Sequence, residues 1–174
     1  MLITRLKTEQ DVRGLIAEIN DCGNPAALDL ETTGLDLRKD RLLTVVLSGP
    51  QADTAYCFPP EFRHLLLDLK VGLILHNFKF DYQFLYHNGV DLRHHDFRDT
   101  MLMHHLFNEN LPHGLDAIIT TRYNDSYKNT FWTTYKDFQD APEAAQDEYA
   151  GKDVIYTLRL YHELKAELEE QGVP

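Results

Sequence analysis

Two cysteines, Cys22 and Cys57, are all that the chain contains. They are too few and too far apart for a disulfide framework or a cysteine zinc site, and we read them as reduced thiols of a cytoplasmic protein. No apolar run is long enough to cross a bilayer, and Met1-Leu2-Ile3-Thr4 does not begin a signal peptide. A Gly-rich phosphate loop and a Ser-centred nucleophile motif are also missing. Histidine is plentiful, at nine residues. These occur singly or as the pairs His94-His95 and His104-His105, with no HxxxH or HxH spacing to hold zinc. Positive charge is scarce: 17 Lys and Arg stand against 28 Asp and Glu, for a formal net charge of −11. A sequence-independent nucleic-acid binder usually carries a basic footprint, which this composition lacks. Either the partner is not a polyanion, or the acidic groups hold cations that meet its phosphates.

The remaining composition is ordinary. At 174 residues, 43% hydrophobic and 26% charged, the chain fits one soluble domain with a sizeable core. Thr8 reads as an N-cap, with acids in the first turn and Val12, Leu15, Ile16 and Ile19 at helical spacing behind it. Ala26 to Thr32, Arg41 to Ser48 and Thr54 to Phe58 read as three successive strands, an antiparallel meander with a turn at Gly49-Pro50. Phe62 to Leu69 is a short helix. Val71 to Leu75 is a strand ending at His76-Asn77, and the helix marked by Phe80, Phe84 and Leu85 stops near Gly89. Asp99-Thr100 caps a helix with Met101, Leu102 and Leu106 on its core side, and Gly114 to Tyr123 forms another. Residues 124–140 are polar and aromatic without a period, long enough for a functional loop. Pro142 opens a last helix running to Glu170, in which Gly151 is a candidate kink or break.

Asp29 and Glu31 occupy alternate strand positions and so project on one face. Two close like charges need a neutralising partner, such as a hard divalent cation, unless they lie on a solvated edge. Asp81 follows a strand end, where ligands of open α/β sheets bind, but its place in a helical first turn also suits a dipole-pairing acid. Tyr149 and Asp153, four apart, share a helix face.

In order, Asp29-x-Glu31, Asn77-x-x-x-Asp81 and Tyr149-x-x-x-Asp153 resemble the three motifs of the DEDDy class of 3′–5′ exonucleases, in the DnaQ-like, ribonuclease H-like superfamily. Asp99-Thr100-Met101-Leu102 with His113-Gly114-Leu115-Asp116 is similar to the stretch joining the second and third motifs in the proofreading domain of A-family DNA polymerases. The resemblance covers residues 26 to 165. It implies an α/β, ribonuclease H-like three-layer fold, with a mixed sheet of about five strands flanked by helices, the first three antiparallel. One exonuclease domain over 1–174 is expected, with no polymerase domain, since only 21 residues follow Asp153. Such a chain is a free-standing nuclease or an excised domain; the starting Met1 and polar end favour the former.

In-line attack of water on a phosphodiester builds charge on the attacking and leaving oxygens, and two metals ~3.5–4 Å apart stabilise both. The resemblance implies two divalent cations, Mg²⁺ or Mn²⁺, on Asp29, Glu31, Asp81 and Asp153. Asp29 bridges them, Asp81 acts through water, and Tyr149 orients the attacking water. Tyr149 stands where the sister DEDDh class carries histidine. The resemblance also places the backbone around Thr32 and Thr33 at the terminal nucleotide and Asn77 near the scissile phosphate. Leu35 is either a wedge against its base or an ordinary loop-packing residue. Aromatics of 124–140, Phe131 and Trp132 among them, either stack on bases or pack under their loop. The expected reaction is 3′–5′ hydrolysis of single-stranded DNA to 5′ mononucleotides, with a polymerase or helicase as a partner in trans and no membrane. The alternative is an RNA-directed enzyme like ribonuclease D. A silent interaction module is disfavoured, because all four carboxylates and Tyr149 are retained.

Overall fold

The computed structural model describes residues 1–173. Six strands form one mixed sheet: β1 (Leu2–Arg5), β2 (Ala26–Thr32), β3 (Leu42–Ser48), β4 (Thr54–Phe58), β5 (Leu73–Leu75) and β6 (Phe97–Asp99). Their spatial order is β1-β4-β3-β2-β5-β6. The β2–β3–β4 meander is antiparallel, as its sequence pattern predicts. The other pairs, β1 with β4, β2 with β5 and β5 with β6, are parallel. About five strands were expected; the two short outer ones, β1 and β6, are too brief to show a period. The helices are α1 (Glu9–Cys22), α2 (Phe78–His87), α3 (Thr100–Phe107), α4 (Leu115–Tyr123), α5 (Tyr127–Thr134) and α6 (Glu143–Glu170). Among the described residues no helix is long and apolar enough to cross a membrane.

Alternation along β2 decides what each side of the sheet does. Ala26, Leu28 and Leu30 join Val12, Leu15, Ile16 and Ile19 of α1 in the larger core. Each valine, leucine or isoleucine among them, fully buried, contributes about 1.5–3 kcal/mol. Ala27 instead packs with Val46, Ile74, Ala150 and Val154, on the side covered by α6. Asp29 and Glu31 follow Ala27 in step two and therefore face α6.

Three expectations require correction. Residues 124–140 hold α5 and a 3₁₀ turn at Phe138–Asp140 rather than a loop. Their period is hidden because the helix buries only Tyr127 and Phe131. Leu102 and Leu106 are not on the core side of α3: they are 55% and 62% exposed. The buried residues there are Thr100 and His104, since hydrogen bonds to neighbouring polar groups let polar side chains face inward. Gly151 does not break α6, which runs without interruption from Glu143 to Glu170. A Cβ there would lie 2.6 Å from Cγ2 of Ile3, so the glycine admits β1 beside the helix. Arg5 secures the same contact, its Nε donating to both Asp147 oxygens at 2.9 and 3.0 Å.

Candidate active site

Three carboxylates meet where β2 passes under α6. One oxygen from each of Asp29, Glu31 and Asp153 lies within 4.8 Å of the others. Asp29 sits opposite Val46 and Glu31 opposite Thr44, and the register shifts after Glu31 as the strand ends. Tyr149 and Asp153 come from one face of α6, as their spacing predicts.

Asp81 stands in the first turn of α2 and is only 2% exposed. Its position follows from a sharp turn. Asn77 has a φ of 66°, which its short amide side chain tolerates. The backbone N–H groups of Asn77 and Phe78 donate to Oδ1 and Oδ2 of Asp99, both at 3.0 Å. Asp99 also caps α3, accepting from the Met101 N–H at 2.9 Å. His76 continues the tie through Thr100 Oγ1 and the His113 carbonyl oxygen, each 2.9 Å away. The Asp99–Asp116 stretch thus braces the turn that presents Asp81.

Helix α5 supplies Lys128, which the sequence reading did not single out, and gives Tyr127 and Trp132, read there only as base-stacking or loop-packing aromatics, polar contacts within the site. Tyr127 donates its hydroxyl to Oδ1 of Asp153, and Lys128 Nζ reaches Oδ2 at 2.5 Å. Lys128 also donates to the Tyr149 hydroxyl at 3.0 Å, and Trp132 Nε1 does so at 3.1 Å. Tyr127 with Phe131 and Lys128 with Trp132 are i, i+4 pairs, which is the signal by which this helix could have been found.

The electrostatics are those of a site short of positive charge. Burial, then repulsion by Asp153, pushes Asp29 up to about 7, against the pull of Lys128. Burial followed by the Asp29 charge holds Glu31 and Asp81 well above the usual carboxylate range. Burial works to lower Lys128, but Asp153 and then Tyr149 outweigh it and keep it firmly an ammonium. Burial and Asp153 raise Tyr149 to about 12, so it stays a phenol. Glu31 Oε1 and Asp81 Oδ1 are buried without a hydrogen-bond partner. Such orphaned carboxylate oxygens are costly, and hard divalent cations satisfy them well. The donor set fits such a cation.

The remaining predicted positions are less enclosed. Thr32 Oγ1 donates to the Gly34 carbonyl at 2.7 Å. Thr33 Oγ1 donates to Asp40 Oδ1 at 3.0 Å, and the Asp36 N–H to Oδ2 at 2.8 Å, closing the loop after β2. Leu35 is 82% exposed, so it is not a loop-packing residue. The structure does not bring Leu35 or the exposed Asn77 side chain into the carboxylate cluster. Gly34 lets the loop close: a Cβ there would stand 2.6 Å from Asp40 Oδ2. Gly34→Ala is expected to displace that carboxylate and cost about 1–2 kcal/mol, read as an earlier urea midpoint. An unchanged midpoint would show that the Asp40 contacts carry no stability.

Comparison with known proteins gives the family and relatives of the same fold. The family described as 3′-5′ exonuclease matches residues 3–169. No curated protein gives a significant match. Among solved structures, Brucella melitensis NrnC with bound Mg²⁺ is similar at 26% identity and a TM-score of 0.72, covering 99% of this chain and 85% of that one. The Brucella melitensis NrnC structure bound to pGG aligns at 24% identity and a TM-score of 0.69, over 99% and 83%. Escherichia coli RNase D, an exoribonuclease involved in structured RNA processing, shares the fold at 19% identity and a TM-score of 0.76, over 99% of this chain and 46% of that one.

Proposed function

The chain belongs to the 3′–5′ exonuclease family, and from that premise we propose that it removes 5′ mononucleotides one at a time from the 3′ end of single-stranded DNA. The observation that carries the reading is the convergence of Asp29, Glu31 and Asp153 within 4.8 Å, beside a buried Asp81. Enzymes of this family need divalent metal. Asp29, Glu31 and Asp153 would hold one cation, and Asp29 with Asp81 a second, Mg²⁺ or Mn²⁺. When bound, the cations supply an activated water and charge stabilisation at the leaving oxygen. Tyr149 orients the attacking water through its hydroxyl. The backbone around Thr32 and Thr33 receives the terminal nucleotide, Asn77 lies near the scissile phosphate, and the exposed Leu35 wedges against the terminal base. All of this lies within residues 1–174 as one domain, acting in the cytoplasm, with any polymerase or helicase partner supplied in trans.

The net charge of −11 disfavours a long phosphate footprint and supports engagement of only the last few nucleotides. DNA is the first choice because the Asp99–Asp116 stretch, which braces Asp81, resembles that of DNA-proofreading domains. A second reading, short RNA, is favoured by the likeness to NrnC, whose structure was solved with pGG.

Single-stranded DNA and RNA, each labelled at the 3′ or the 5′ end, separate these readings when incubated with Mg²⁺, Mn²⁺ or EDTA. Metal-dependent release of mononucleotides from the 3′ end, faster on DNA, is expected. Faster release from RNA would promote the second reading. No release from either polymer would remove the exonuclease assignment.

A further inference from the structure

The exonuclease reading gives Tyr149 the attacking water to orient but leaves open which way its hydroxyl works. Helix α5 decides this. Lys128 Nζ lies 3.0 Å and Trp132 Nε1 3.1 Å from the Tyr149 hydroxyl oxygen. An ammonium and an indole N–H have no lone pair to offer, so each must donate to the phenol oxygen, wherever hydrogens are placed. That oxygen has two acceptor positions, and these two bonds fill them. What remains is its single O–H, which can only donate.

The surroundings hold this arrangement in place. Lys128 Nζ stands 4.5 Å from the centroid of the Tyr149 ring, and its charge is anchored by Asp153. Phe131 packs on the same ring at 4.4 Å between centroids. Trp132 is 47% exposed, yet its one polar atom points inward to a buried hydroxyl rather than to water. A tryptophan present only to offer a stacking face would not need that bond.

We propose that Lys128 and Trp132 are positioning residues that fix Tyr149 as a one-way hydrogen-bond donor to the attacking water or to a phosphate oxygen. Tyr149 then neither takes the proton of the water nor gives up its own. The inference rests on the exonuclease reading, but its first test does not.

In metal-free protein labelled with ¹³Cζ-tyrosine, the Tyr149 resonance is identified by its loss in Tyr149→Phe. Trp132→Phe and Lys128→Met each remove one donor, and each should shift that resonance, with Lys128→Arg restoring it towards the native position. A resonance unmoved in either donor-deleted variant overturns the proposal. The second test is kinetic. Trp132→Phe should lower kcat about fivefold to tenfold, with KM changed less than about twofold. The same substitution in a Tyr149→Phe background should cost nothing further, because the hydroxyl it positions is gone. An equal loss in both backgrounds means that Trp132 acts by packing, and this too overturns the proposal. A wild-type protein inactive on every polymer overturns the exonuclease reading instead. The resonance then decides the donor assignment alone, supporting it if moved in both variants and overturning it if not.

Discussion

Asp29→Ala is expected to lower kcat/KM by about 10³-fold or more, while the metal-free protein becomes harder to unfold. The two effects share one cause. Asp29 stands among Glu31, Asp81 and Asp153, and its charge is the largest like charge acting on Glu31 and on Asp81. Removing it relieves repulsion that the folded chain must otherwise bear, and so stabilises the metal-free state. Under the proposed function it would also remove the carboxylate that would serve both cations, and charge developing in the transition state would lose that support. Initial rates on 3′-labelled oligonucleotides and a thermal melt in EDTA check both halves. Near-native rates would remove the metal-bridging role. A lower melting temperature would show that Asp29 is held by favourable contacts rather than tolerated at a cost.

The second large effect is a loss of metal-free stability as pH rises. The sign follows from the protons bound. Asp29 titrates at about 7 in the folded protein and near 3.9 in the unfolded chain. Between those values the folded state binds more protons, so stability falls as pH increases. The ceiling for this one group is about 4 kcal/mol, reduced by whatever solvent reaches the half-buried carboxylate. Glu31 and Asp81, both held well above the usual range, extend the fall beyond neutrality.

His104 acts in the opposite sense. Burial, then the nearby Arg122, depresses it to about 4, so stability falls as pH drops from about 6.5. The two trends offset one another in acid, and the carboxylate term emerges alone above about pH 6.5. Melting temperatures in EDTA should therefore decline between about pH 6.5 and 8.5. Mg²⁺ should largely abolish the decline, because it replaces the protons that the cluster lacks. A flat or rising profile in EDTA would mean that the carboxylates are satisfied without a cation.

Much of this site was legible because its parts obey local rules. Asp29 and Glu31 share a face by the strand period, Tyr149 and Asp153 by the helix period, and Asn77 breaks strand from helix where the chain must turn. That β2, the β5–α2 turn and α6 converge is a long-range fact, and only the resemblance supplied it. What stayed hidden was of two kinds. Strands β1 and β6 are too short to carry a period, and they owe their place to β4 and β5. Helix α5 buries two aromatic residues and turns Lys128 and Trp132 towards α6, so its pattern serves the site and not a core. The inward face of α3 misled for the opposite reason. His104 and Thr100 are buried because neighbouring polar groups meet them, a match that hydrophobic spacing cannot register.

The alternation along β2 also limits how the chain can change length. Even-numbered residues from Ala26 to Leu30 feed the α1 core, while Ala27, Asp29 and Glu31 look towards α6. Deleting one residue between Ala26 and Asp29 would exchange the two sides, sending both acids into hydrocarbon and leucines into the cluster. Surface loops in general tolerate insertions and deletions. This strand cannot, and a tag or inserted segment placed within it would silence the site and unseat the core together.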